Sequence, residues 1–216
     1  EDVGVLWFSA NDGIRNLKGL SKLRRADEIV LRYLGELESA EGFPALEESE
    51  SLWLHGGGLT PLTTFEGLKP HAWGAISLTA FPNVQTLSAV NLSRARSLTI
   101  QNLGIEDLQS LQPLTEFPIQ PGEPGGIHID YCEQLKSLSG LEQLRLVNGA
   151  LWLSNLESLE NLDALANLEE VTTVLQLELL PLVEIDELDP NNGSALKKIT
   201  ELRFFYLPYV PACYAD

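Results

Sequence analysis

The feature that most constrains the fold of this 216-residue chain is a pair of apolar residues, separated by one residue, that recurs from end to end. Side chains of a β-strand alternate between its two faces, so each pair marks a short strand with one apolar face. The pairs recur at intervals of a little over 20 residues, for example 23 residues from Leu6 to Ile29. A repeat of this length is typical of a solenoid, in which each coil contacts only its neighbours. The nine pairs are Leu6/Phe8, Ile29/Leu31, Leu52/Leu54, Ile76/Leu78, Leu98/Ile100, Ile127/Ile129, Leu151/Leu153, Leu175/Leu177 and Leu202/Phe204.

The segments between these strands carry further apolar positions with a period of three, most clearly in Gly149 to Val171, GALWLSNLESLENLDALANLEEV. This period predicts 3₁₀-like or extended returns rather than α-helices. No single coil buries its own apolar positions, so consecutive strands are expected to pair in parallel. We predict one mostly β solenoid domain over residues 1–216, a right-handed coil of about nine repeats with one parallel sheet. The first apolar position after each strand is predicted at Ile14, Leu37, Leu59, Val84, Ile105, Leu135, Leu159, Leu182 and Val210.

The unit from Gly149 to Val171 resembles leucine-rich repeats of the receptor L-domain type, which also occur in many bacterial surface proteins. The resemblance implies a role in recognition and names no ligand, because this scaffold serves many unrelated partners. Such repeats commonly place Asn directly after the strand, where its side chain bonds backbone groups of the turn. Only two of nine residues in that column are Asn here, so turn geometry is expected to vary between coils. The column reads Ala10, Tyr33, Gly56, Ala80, Asn102, Tyr131, Asn155, Leu179 and Tyr206.

One side chain in each strand lies between the two inward residues and is expected to point outward. Three of the four Trp residues occupy this column. Exposed Trp is typical of recognition surfaces; the alternative is that these aromatic residues pack across neighbouring strands. We predict a ligand-binding surface with one patch near Trp7 and Trp53 and another near Trp152. Its candidate residues are Trp7, Val30, Trp53, His55, His128, Asp130, Trp152, Gln176 and Arg203.

Acidic residues outnumber basic ones by 31 to 14, which gives a formal net charge of −17. A field of this sign repels nucleic acid and anionic membrane surfaces. No apolar run approaches the roughly 18 residues that a membrane span requires. The expected partner is a protein or a glycan, with no nucleic acid and no insertion into a membrane.

The histidines and cysteines do not form a catalytic or metal-binding pattern. His55, His71 and His128 fall in coils too far apart to share a metal ion, and no recognised motif sets a nucleophile beside them. Cys132 and Cys213 fall in inward columns about 14 Å apart by strand spacing, beyond the roughly 7 Å between the Cα atoms of a disulfide. We predict a non-enzymatic protein without metal or cofactor, whose cysteines are core thiols; pairing of Cys213 between chains stays open.

The chain contains no Met, even at position 1. This predicts that a leader has been removed and that the protein is exported to the cell surface or the extracellular space. Asn91-Leu92-Ser93 and Asn192-Gly193-Ser194 match the acceptor pattern for N-glycosylation, which leaves modification of Asn91 and Asn192 open.

The two ends of the predicted sheet indicate a competing function. The first pair begins at Leu6, and only a short segment follows Phe204, so neither end has an evident cap. An open strand edge offers unpaired amide and carbonyl groups to another chain. The alternative to a recognition module is therefore a structural subunit that stacks end to end into a filament or surface layer, unless residues 2–5 and 208–216 fold over the ends. The residues expected to self-associate are Val3, Val5, Phe204, Phe205 and Tyr209.

Overall fold

A computed structural model describes residues 1–11, 13–57, 59–68, 73–92, 94–111, 114–117, 125–181, 188 and 195–207. Strands carry most of the regular structure. The helical part consists of 3₁₀ turns at Lys18–Leu20, Glu66–Leu68, Gln109–Leu111 and Asp163–Leu165, in agreement with the period of three in the returns. The strands are β1 (Asp2–Ser9), β2 (Arg25–Arg32), β3 (Glu48–His55), β4 (Ala75–Phe81), β5 (Ser97–Leu103), β6 (Glu116–Phe117), β7 (Gly125–Asp130), β8 (Leu146–Val147), β9 (Gly149–Ser154), β10 (Glu170–Glu178) and β11 (Lys198–Phe205).

Nine of these strands follow one another across a single parallel sheet, in the order β1-β2-β3-β4-β5-β7-β9-β10-β11. The two-residue strands β6 and β8 pair with each other and, through β8, with the start of β10. The register is the one predicted from the apolar pairs, from Leu6 beside Ile29 to Leu175 beside Leu202. The chain is a mostly β parallel solenoid, as its periodicity predicts.

The inward side chains of consecutive strands stack into one continuous core. Ile29, Leu52 and Leu98 are fully buried, and so is the return position Leu37. Burial of such a side chain stabilises the fold by about 1.5 to 3 kcal/mol relative to exposure. The end coils have a neighbouring coil on one side only, so their core residues are partly exposed. These half-buried residues include Leu6, Phe8, Ile14, Leu20, Ile199, Leu202, Phe204 and Leu207.

One predicted core position is wrong, and two others, Leu182 and Val210, lie outside the described residues. Leu59 is 93% exposed, whereas Thr60 is fully buried. The inward position falls eight residues after Leu52 in this coil, the same spacing as in the neighbouring coils, and that residue is Thr60. The Thr60 hydroxyl donates to the Gly57 carbonyl oxygen at 2.7 Å. The buried hydroxyl is tolerated because this hydrogen bond satisfies its donor.

The residue directly after each strand adopts the same backbone conformation in almost every coil. Eight non-glycine residues have φ between 48 and 61°, in the left-handed region. This conformation costs an L-residue about 1 to 2 kcal/mol. The expectation that turn geometry varies between coils is wrong, because stacking imposes one turn on Ala, Tyr and Leu as well as on Asn. The eight residues are Ala10, Tyr33, Ala80, Asn102, Tyr131, Asn155, Leu179 and Tyr206.

Candidate functional site on the strand face

The outward side of the sheet, here called the strand face, presents three rows of side chains across β3, β4, β5, β7 and β9. The first row is Ser51, Ala75, Ser97, Gly126 and Ala150; the second is Trp53, Ser77, Thr99, His128 and Trp152; the third is His55, Thr79, Gln101, Asp130 and Ser154. Trp53 and Trp152 stand four strand spacings apart, about 19 Å. Between them in the second row lie the small side chains of Ser77 and Thr99 and the ring of His128.

The first predicted aromatic patch contains Trp7, Val30, Trp53 and His55, and the first three of these residues lie side by side in register. Trp7 is 56% exposed and Trp53 is 41% exposed, as expected of a surface patch. Val30 is only 2% exposed, so the expectation that it is exposed on this surface is wrong. The larger indoles on the two adjacent strands exclude solvent from it. The Arg32 guanidinium lies 5.3 Å from the centre of the Trp7 ring, which is a cation–π contact.

The second predicted patch contains His128, Asp130 and Trp152. The ring centroids of His128 and Trp152 are 5.1 Å apart, and the two rings meet edge to face at 77°. Burial lowers the pKa of His128, although the Asp130 carboxylate acts in the opposite direction. The Trp152 Nε1 atom is buried and has no hydrogen-bond partner in the described part of the chain. An unmet donor of this kind costs about 1 to 3 kcal/mol in the free protein.

Asp130 is not exposed, contrary to expectation, and its carboxylate is occupied within the fold. Its Oδ1 atom accepts hydrogen bonds from Ser154 Oγ at 2.8 Å and Asn155 Nδ2 at 2.9 Å. Its Oδ2 atom accepts from Gln101 Nε2 at 3.1 Å. With 8% of its surface exposed, Asp130 orients three neighbouring side chains on the strand face instead of offering a free carboxylate.

A hollow of about 320 Å³, here called the Trp152 depression, lies on the strand face beside Trp152. A β-carbon on Gly126 would lie 2.4 Å from the Ala150 carbonyl oxygen. Gly149, with φ of 152°, allows no β-carbon either, since that atom would lie 1.6 Å from the Gly125 carbonyl oxygen. Glycine is therefore required for β7 and β9 to approach closely, and the floor is backbone. The lining residues are Ser97, Gly125, Gly126, Ile127, His128, Ala150 and Trp152.

A second hollow of about 290 Å³, here called the His55–Tyr131 depression, lies at the carboxyl ends of β3, β4 and β5. On one side, the His55 ring meets the Tyr33 ring edge to face, with centroids 5.0 Å apart. His55 Nδ1 lies 2.7 Å from Thr79 Oγ1, in hydrogen-bond contact. On the other side, Tyr131 is 51% exposed. The lining residues are His55, Thr79, Ala80, Gln101, Asn102, Tyr131 and Glu133.

The ionisation of His55 is shifted by its surroundings. Partial burial lowers the pKa of the imidazole, and the nearby positive charge of Arg32 lowers it further. The lowered pKa favours the neutral ring, in which one nitrogen is a donor and the other an acceptor. A neutral His55 can form a hydrogen bond with a ligand without contributing a charge.

Sequence reasoning identified His55 but missed the other residues of the His55–Tyr131 depression. Asn102 and Tyr131 belong to the column after the strands, which was interpreted as a turn position. Both adopt the left-handed conformation. The available signal was the Tyr at three of the nine positions of that column, where Asn or Gly is the residue that the conformation favours.

Gln176 and Arg203 are held in contacts within their own strands. Gln176 lies beside Trp152 in register, but its amide Nε2 donates to Glu178 Oε2 at 2.9 Å. Arg203 Nε donates to Glu201 Oε1 at 2.7 Å, and this contact raises the Arg203 pKa. Neither residue lines the two depressions.

Exposed ion pairs join neighbouring coils along the edges of the sheet. Arg24 meets Glu47 at 2.7 Å, and Lys136 meets Glu106 at 2.8 Å. Pairs as exposed as these contribute little to stability. They nevertheless neutralise cations, so these basic residues do not attract an anionic ligand.

The described residues contain no group of three or more His, Cys, Asp or Glu side chains arranged to hold a metal ion. Within the same part of the chain, no helix has the length and apolarity to cross a bilayer. Cys132 is fully buried, and burial raises the pKa of its thiol to about 11, in agreement with the predicted core thiol. His71, Asn192, Tyr209 and Cys213 lie outside the described residues.

Comparison with known proteins finds no matching family model, no similar curated protein and no similar solved structure. The resemblance to leucine-rich repeats therefore stays a prediction.

Proposed function

We propose that the protein is a non-enzymatic recognition module, extracellular or at the cell surface, which binds a protein or glycan ligand on the strand face. The observation that carries this proposal is the presence of two depressions on one rigid sheet. Ser97 lines one of them and Gln101 the other, at opposite ends of β5. Four residues of strand separate these positions, about 13 Å. One extended ligand can therefore reach both depressions.

The aromatic side chains supply the second support. Trp53 is 41% exposed, and Trp152 forms a wall of its depression. Indoles dominate the energetics of recognition surfaces because they bury a large area at little cost in conformational entropy. The sheet beneath them is fixed by parallel pairing on both sides, so the surface is preorganised for a ligand.

The test is a binding screen of the purified chain against a printed glycan array and a phage-displayed library of random peptides. We expect at least one collection to yield a binder. Trp152→Ala is expected to weaken that binder at least about tenfold, as truncation of a central aromatic anchor does.

Leu59→Ala is the matched control, since Leu59 is 93% exposed and lies outside the strand face. It removes an exposed apolar side chain and is expected to leave affinity unchanged. The proposal fails if neither collection yields a binder, or if Trp152→Ala and Leu59→Ala affect binding equally.

A second candidate function, end-to-end self-assembly, is favoured by the two ends of the sheet. Val3 and Val5 on β1 are 38% and 55% exposed, and Phe205 on β11 is 42% exposed. Phe204 is half-buried against the core. Within the described residues, the outer edge of β1 pairs with no strand. An unpaired edge with exposed apolar side chains is a template for another chain.

The register of the sheet indicates how two copies would stack. Leu6 and Leu202 occupy the same inward column, so a partner β1 placed beside β11 in that register sets Asp2 opposite Lys198. Such a head-to-tail contact does not close and extends into a filament. Sedimentation velocity would show concentration-dependent oligomers that Val5→Lys abolishes and Leu59→Lys preserves. A monomer at the highest attainable concentration excludes this candidate.

A further inference from the structure

We infer that the His55–Tyr131 depression is a binding site for a neutral carbohydrate. This inference rests on the proposed function and names the ligand class at one part of the strand face. Four observations support it: the paired backbone below the site, the fixed orientation of three of its polar side chains, the mixture of donors and acceptors, and the exposed tyrosine.

The backbone beneath the depression has no free hydrogen-bonding edge. Strands β4 and β5 each pair on both sides, β4 with β3 and β5, and β5 with β4 and β7. A peptide that binds by strand addition needs an open edge. Recognition over this part of the sheet must therefore come from side chains.

Three of those side chains, His55, Thr79 and Gln101, are held in place before any ligand arrives. His55 contacts both Thr79 and the Tyr33 ring. The Gln101 amide nitrogen donates to Asp130, which leaves its amide oxygen facing other partners. Groups that are already ordered lose little entropy on binding, and this favours polar ligands whose affinity depends on many directed hydrogen bonds.

The remaining hydrogen-bonding capacity combines donors and acceptors at short separation. In the described part of the chain, the side-chain amide of Asn102, the Tyr131 hydroxyl and the Glu133 carboxylate make no hydrogen bond. A sugar hydroxyl both donates and accepts, so an array of hydroxyls matches this mixture. The net charge of −17 repels an anionic ligand, whereas a neutral carbohydrate experiences no such repulsion.

The Tyr131 ring supplies an apolar surface at the wall of the depression. It is 51% exposed and can pack against the C–H face of a sugar ring. Its left-handed backbone is not itself a sign of binding, because Tyr206 shares that conformation in the same column outside the depression. Tyr206 is 78% exposed and therefore provides a matched control.

The test is isothermal titration calorimetry with three neutral tetrasaccharides, cellotetraose, mannotetraose and chitotetraose, and with anionic tetragalacturonate. We expect at least one neutral tetrasaccharide to bind with a Kd below about 1 mM. Tyr131→Ala is expected to weaken it at least about tenfold, and Tyr206→Ala less than about twofold. Tetragalacturonate is expected to bind more weakly than the neutral ligands.

The inference is overturned if no neutral tetrasaccharide binds, or if Tyr131→Ala and Tyr206→Ala have equal effects. It is also overturned if tetragalacturonate binds most tightly. Failure here is distinguishable from failure of the proposed function. A peptide binder that is sensitive to Trp152→Ala would leave strand-face recognition standing while the carbohydrate assignment falls.

Discussion

Removal of the Asp130 carboxylate is expected to destabilise the strand face more than any exposed polar substitution. Asp130 accepts hydrogen bonds from Ser154, Asn155 and Gln101. In Asp130→Ala, the Ser154 hydroxyl is left as an unmet donor, because Ser154 is only 6% exposed. Such a donor costs about 1 to 3 kcal/mol, and the other two side chains regain water at a smaller loss. The free energy of unfolding should fall by about 3 kcal/mol in total.

The conservative variant separates hydrogen bonding from charge. Asp130→Asn keeps an oxygen for Ser154 and Asn155, and Gln101 can turn its amide to offer its oxygen instead. The expected loss is about 1 kcal/mol. Urea unfolding followed by circular dichroism measures both values, with exposed Glu133→Ala as a control that should change stability by less than about 0.5 kcal/mol. A loss below about 1 kcal/mol in Asp130→Ala would refute the assigned role.

Three further outcomes are expected from the fold. In urea unfolding, Thr60→Val should cost about 1 to 2 kcal/mol by removing the donor to Gly57, whereas Leu59→Ser should change stability by less than about 0.5 kcal/mol. In thermal unfolding, Tyr206→Asn should raise stability by about 0.5 to 1 kcal/mol, because Asn tolerates the left-handed backbone better than Tyr. The folded pKa of His128 lies below its unfolded value, so the unfolded chain binds more protons. Stability should therefore fall as the pH is lowered through about 6.5 toward the folded pKa, and His128→Gln should reduce that dependence.

The strands and their register could be predicted from the sequence because apolar alternation is a strong local signal in a solenoid. Each coil must match its neighbours, so a pair such as Leu52/Leu54 specifies both the strand and its partners. The same logic fails at Leu59, which follows Leu52 by seven residues instead of the eight found in the neighbouring coils. The inward position belongs to Thr60, whose polar side chain gives no apolar signal.

The site was harder to predict because exposure depends on neighbours that are distant in sequence. Val30 lies on the outward face, but Trp7 and Trp53 on adjacent strands bury it. Asp130 faces outward as well, and its carboxylate accepts hydrogen bonds from donors on two neighbouring coils. The sequence of the strand that contains each residue does not indicate the burial of Val30 or the hydrogen bonds of Asp130.

The most direct test of strand-face recognition is the movement of tryptophan indole signals when a ligand from the binding screen is added. Two-dimensional NMR resolves the indole N–H groups of Trp53, Trp152 and Trp73, and Trp73 is a core residue with 1% exposure. Ligand binding should shift the Trp152 signal most, move the Trp53 signal if the ligand spans the face, and leave Trp73 unchanged. A ligand that binds without shifting either Trp53 or Trp152 would contradict recognition on this surface.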